Sequence, residues 1–233
     1  DEAGNDIDYK HWPAFLPNAK NVAIGGAGNR SIARQVLAEL ATADSSKTAV
    51  VVMWSTVERY DYYDPVYNAY KYEGASFTGN KEYYLKYFYS DFNQFAKSLE
   101  YILLVQQTCK ARNIPYVFSH MGDIRYRDWD MDMAYNVHVS NGAKRTLSSQ
   151  EQKHVQTFFD KLETENEKSY IQNLWEQIDW SRWVFWGDRG GLWQMTNDKG
   201  YEWIAYHPPE EAHKDWAENI IIPKLQELNA WHR

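Results

Sequence analysis

His207 is the side chain best suited to move a proton. It stands in the run Tyr206-His207-Pro208-Pro209-Glu210-Glu211-Ala212-His213, which opens a helix continuing through Trp216, Ala217, Ile220 and Ile221. Proline suits a first helical turn because it has no N–H to leave unbonded, and Glu210 and Glu211 complement the positive end of the helix dipole. An imidazole held at such an edge is the base with which many hydrolases activate a serine. No serine with a convincing nucleophile motif accompanies it. His213 lies six residues further on, away from the one-turn spacing that would pair it with His207, and is expected to cap or pack the helix.

The elements that must carry His207 read as an alternation of strand and helix. Asn21-Val22-Ala23-Ile24 reads as a strand running into Gly25-Gly26-Ala27-Gly28-Asn29, and Ile32, Val36, Leu37 and Leu40 give a helix over about Arg30 to Leu40. The β-branched run Val50-Val51-Val52 within Lys47 to Trp54 predicts a buried parallel strand. A long helix follows over about Asp91 to Arg112, then a strand at Tyr116-Val117-Phe118. Residues 123–150 are polar and irregular, Glu151 to Glu163 and Ile171 to Ile178 read as helices, and Gly187 with Gly190-Gly191 marks a loop after Trp183-Val184-Phe185-Trp186. Pro223 should kink or end the last helix near Ile222. With no repeat and no linker, residues 1–233 read as one α/β domain with a largely parallel sheet.

Composition bounds the function. A net charge of -7 and a pI near 5.5 argue against nonspecific nucleic-acid binding, which needs concentrated Lys and Arg. No apolar run is long enough to predict a membrane span. The lone Cys109 rules out an internal disulfide and, with no signal peptide ahead of it, fits a cytoplasmic or virion-associated protein. No cofactor motif stands out.

These residues together resemble the SGNH, or GDSL-type, hydrolase superfamily, in particular its divergent phage and marine branch. Asn21 to Gly26 is similar to the family's second block, Val51-Val52-Met53-Trp54-Ser55 with Glu58-Arg59 to the third, and His207-Pro208 with Glu211-Ala212-His213 to the last. The resemblance implies a three-layer α/β/α sandwich with a mostly parallel, flavodoxin-like sheet. It implies His207 as catalytic base and Gly26 as a backbone donor to the oxyanion. Ser55 stands where the family has an oxyanion-hole asparagine, and Ile204 where the acid normally lies, so Glu202 is the candidate substitute. Asn29, Trp54, Arg59, Tyr60 and Tyr62 flank these corners as candidate ligand contacts. The family's first block, the central strand with the nucleophilic serine, has no counterpart, so the expectation is a chain without its natural N-terminal strand, whose absence would leave backbone groups unpaired inside the sheet.

Other constellations read more simply. Asp128, Asp130 and Asp132 alternate, yet Met133 and Val139 stand where a calcium loop needs glycine and a carboxylate, so a solvated acidic loop is expected and no metal. His120, Asp123 and His138 fit no ligand spacing, and hydrogen bonding is expected of them. Ten of the 18 tyrosines fall between Tyr60 and Tyr89, an insertion suited to an aromatic lid, a protein interface or a carbohydrate platform. Trp175, Trp180, Trp183, Trp186 and Trp193 read mostly as core. Two functions follow: a hydrolase of an ester or O-acetyl group, or an inactive relative of the same fold that contacts glycans or neighbouring subunits, for example in a virion.

Overall fold

Two strands with opposite-facing apolar rows organise the chain. The computed structural model describes residues 9–57, 59–64, 69–73, 90–122, 165–187, 190–204 and 207–229. Strand β1 (Val50–Trp54) pairs in parallel with the next central strand, Tyr116–His120, with Val50 opposite Tyr116 and Trp54 opposite His120. Between them lies an antiparallel hairpin, β2 (Tyr60–Asp64) and β3 (Ala69–Glu73), so Tyr116–His120 is β4. The fold is mixed α/β, as its alternation of strand and helix predicts.

Because side chains alternate along a strand, β1 and β4 feed two separate cores. Val52, Trp54, Tyr116 and Phe118 enter one, with α1 (Asn29–Thr42), α2 (Asp91–Ala111) and α3 (Glu165–Glu176). Val51, Met53 and Val117 enter the other, with α4 (Leu192–Asp198) and a C-terminal helix. That helix is α5 (Glu210–Trp216), a π-helical turn (Ala217–Ile221) and α6 (Ile222–Glu227) in unbroken succession. Trp183 extends the sheet by a single parallel bridge to Phe118, its neighbour Val184 donating to the Phe118 carbonyl at 2.9 Å.

The long helices and both central strands fall where periodicity places them, with α2 within a residue of its expected bounds. Three expectations change. Asn21–Ile24 is not a strand: no described strand runs beside it, and Asn21 Oδ1 accepts from Ala23 N at 3.0 Å to curl it locally. Of the two outcomes expected of Pro223, a kink or an end near Ile222, the structure overturns the end. The π turn just before it widens the coil where the proline ring would meet the preceding carbonyls, and the helix continues to Glu227. Pro208 and Pro209 precede the helix, Pro209 being its extended N-cap. The helix expected over Glu151 to Glu163, the irregular stretch 123–150 with Asp123, Asp128, Asp130, Asp132 and His138, and Tyr67, Tyr83, Tyr84, Tyr87 and Tyr89 of the tyrosine-rich insertion lie outside the described residues. No described helix is long and apolar enough to cross a membrane.

Trp183 is buried and Trp175, Trp180 and Trp186 pack against the cores, as expected of most of the tryptophans, whereas Trp193 joins neither core. Trp175, Trp180 and Trp183 make a chain of rings 4.3 and 5.1 Å apart, with Phe118 edge-on to Trp183 at 5.6 Å. Buried Gln106 closes that side, donating to Gln177 O at 2.9 Å and accepting from Asp179 N at 2.7 Å. Cys109 is buried, and burial pushes its thiol up to about 12, which leaves it inert.

Candidate functional site

The C-terminal end of β1 is tied down by one side chain. Asn29, 2 % exposed at the start of α1, donates from Nδ2 to Ser55 O and to Ser98 Oγ, each at 3.0 Å, while Ser55 N donates to Asn29 Oδ1 at 2.8 Å. The carboxamide therefore pairs with both backbone groups of Ser55 as a neighbouring strand would. All its hydrogen-bonding capacity but one oxygen lone pair is used inside the protein. His120 finishes the same corner: Gly122 N donates to its Nδ1 at 3.0 Å, so its Nε2 carries the proton and donates to Ser55 O at 2.9 Å. Burial holds this imidazole down to about 4, and it is a neutral structural group, the hydrogen-bonding role its sequence position suggests.

Around this corner the side chains of Trp54, Ser55 and Thr56 are buried, and Trp54 Nε1, Ser55 Oγ and Thr56 Oγ1 have no hydrogen-bond partner. The Ser55 hydroxyl expected at an oxyanion hole is thus uncommitted but only 1 % exposed.

The glycine turn sits beside it. Ala27 N donates to Ile24 O at 3.2 Å, and Gly26 takes φ +75°, the left-handed third position of a type II turn that glycine fills without strain. Gly26 is exposed and its N–H donates to no described group. Gly28 follows where the chains close up: a Cβ there would lie 2.7 Å from Arg59 O. Asp61 of β2 caps α1, accepting from Gly28 N at 2.9 Å and Ser31 N at 2.7 Å. The positive end of α1 is thereby filled by the protein's own carboxylate. Tyr60 and Tyr62 lie on the same strand.

His207, from the other end of the chain, is connected to this region through Arg59. It exchanges backbone hydrogen bonds with Ile204 at 2.9 and 2.8 Å across a two-residue link, which fixes it one step before Pro208 and the helix. The ring lies at the surface. Partial desolvation, then the Arg59 guanidinium and the His11 ring, hold its pKa below the usual histidine value, so it is neutral at pH 7. Arg59 is thus the link between the glycine corner, which its backbone touches at Gly28, and the imidazole, on which its charge acts. No described carboxylate bonds to the His207 ring. Glu202 is exposed two residues before Ile204 and makes no hydrogen bond to it.

Sequence reasoning did not find the groups behind His207. Tyr9 OH donates to Pro208 O at 2.7 Å, Lys10 N donates to Glu210 at 3.0 Å, and His11 reaches His213. His213 is 6 % exposed, consistent with its expected packing role, and burial followed by the His11 and His207 rings pushes it down to about 3. No local spacing signals partners some 200 positions apart. Among the described residues, no three His, Cys, Asp or Glu side chains come together as a metal site. No protein-family model, curated protein or solved structure matches the chain.

Proposed function

We propose that this chain is an SGNH-like acyl hydrolase domain in which His207 is the general base toward an ester or O-acetyl group, with the Gly26 N–H as an oxyanion donor. The observation that carries this reading is a neutral, surface-accessible imidazole under the charge of Arg59, whose backbone abuts the glycine corner. Neutral imidazole can accept the proton of an attacking hydroxyl, and an N–H with no partner among the described residues can stabilise the developing oxyanion. The two cores on opposite faces of β1 and β4 support a three-layer α/β/α arrangement. The nucleophile and the acid that orients His207 come, on this reading, from outside the described residues.

The test is hydrolysis of short-chain aryl esters by the protein, with His207→Ala as control. Loss of a general base lowers kcat/KM about 100-fold or more. Activity that survives the substitution removes His207 from the mechanism.

A second reading is favoured by one observation: no described carboxylate bonds to His207, and Ile204 meets it through backbone alone. The fold then serves as a binding or structural domain, contacting glycans or neighbouring subunits through the tyrosine-rich β2–β3 region. Absence of ester hydrolysis together with glycan-array binding or a stable oligomer is the result expected of it.

A further inference from the structure

The segment before His207 forms one wall of a cleft of about 480 Å³. Tyr201, Glu202, Trp203 and Ile204 line it from one side, Pro209 and Glu211 from the other. Its aromatic wall is fixed. Trp203 Nε1 donates to Asn197 Oδ1 at 2.9 Å, its ring meets Trp193 edge-on at 6.3 Å, and Tyr201 OH donates to Asp215 at 2.9 Å. With both polar tips bonded to the protein, what these residues offer a ligand is ring surface. Ile204 adds an apolar side chain that is 46 % exposed.

The charge of the cleft has one sign. Glu202 and Glu211 are exposed and form no ion pair or side-chain hydrogen bond with the described residues. Lys199 is committed to Asp215 at 2.6 Å, and Lys214 lies 4.0 Å from Glu218. Unpaired carboxylates beside fixed aromatic faces and an exposed aliphatic side chain recognise a cation that also carries apolar surface. A hydrated metal ion would gain nothing from the rings. A neutral sugar could stack on the rings and donate hydroxyl hydrogen bonds to the carboxylates but would leave both charges unneutralised.

We infer that this cleft binds an organic cation of the alkylammonium class, its charge between Glu202 and Glu211 and its methyl or methylene groups against Trp203 and Tyr201. Binding requires no nucleophile, so the inference stands apart from the hydrolase reading, and either can fail without the other.

The experiment is a titration at constant ionic strength with choline and, separately, with its uncharged isostere 3,3-dimethylbutan-1-ol, following the indole N–H resonance of Trp203 assigned through Trp203→Phe. Choline should shift that resonance saturably, with affinity about tenfold above the isostere. Glu202→Gln with Glu211→Gln should erase the preference for the charged ligand, since both side chains are exposed and Glu210 still faces the positive end of α5. Equal affinity for the two ligands, an unmoved Trp203 resonance, or unchanged choline affinity in the double variant would overturn it.

Discussion

His11 Nδ1 lies 3.4 Å from His213 Nε2, joining the first described segment to the C-terminal helix across 202 positions of sequence. The rings meet edge to face with centroids 5.0 Å apart, and Tyr9 closes the group by bonding to Pro208 O. In such a contact one nitrogen donates and the other accepts, so it exists only while the pair shares a single proton on that axis. His213 Nδ1 is buried with no partner, and a protonated ring there would carry an unbonded charge.

Burial of His213, reinforced by the His11 ring, makes stability depend on pH with a defined sign. The unfolded His213 takes a proton near its ordinary value, about 6.5, whereas the folded ring resists protonation down to about 3. The stabilisation is therefore complete above the unfolded pKa and is lost progressively as pH falls from there toward about 3. Each pH unit in that window removes about 1.4 kcal/mol for this group. His120, held down to about 4, adds a contribution of the same sign. Urea unfolding across pH 7 to 4 should show the decline, and His213→Gln should make it shallower by close to one proton's worth of slope.

Asn29 is expected to matter to the fold more than to any ligand. Asn29→Ala leaves Ser55 N without an acceptor and removes one of the two donors to Ser55 O in a buried corner, and should destabilise by about 2–4 kcal/mol. Equilibrium denaturation measures it. A change under 0.5 kcal/mol, on the order of an ordinary surface substitution, would contradict the strand-like role of the carboxamide.

Asp61 joins the β2–β3 hairpin to α1 through two backbone N–H groups. Asp61→Ala should cost about 1–2 kcal/mol, the scale of a lost helix cap. Amide exchange should rise first at Gly28 and Ser31, the two donors it releases.

Gly191 has no room for a side chain. A Cβ there would stand 2.1 Å from His120 O and 2.6 Å from Gly122 O, because α4 starts hard against the end of β4, where Trp193 N donates to Met121 O at 2.9 Å. Gly191→Ala should destabilise by about 1–3 kcal/mol or more, seen as a lowered Tm. Gly26→Ala meets no atom within 4 Å and carries only the strain of its positive φ.

What could be read in the sequence was what is encoded locally. The apolar period of α2 and the Val50-Val51-Val52 run of β1 each bury within their own element's geometry, and both stand in the structure. Asn21–Ile24 has the composition of a strand, but a strand needs a neighbour, and composition carries no information about one. Pro223 breaks an α-helix only if the preceding turn keeps α geometry, which the π turn does not. The candidate site divides the same way. His207 and the Gly25-Gly26 turn are recognisable from their own neighbours. The Asn29–Ser55 clamp, the Asp61 cap and the His11–His213 contact arise from chain reversals that no spacing announces.

The account rests on a base at His207 working beside the Gly26 corner. The most direct measurement is the pH dependence of aryl acetate hydrolysis by the protein, run alongside His207→Ala. The account predicts activity that falls on the acid side with a pKa below the usual histidine value, and a loss of about 100-fold or more in the variant. Hydrolysis with the same rate and the same pH profile in both proteins would contradict it.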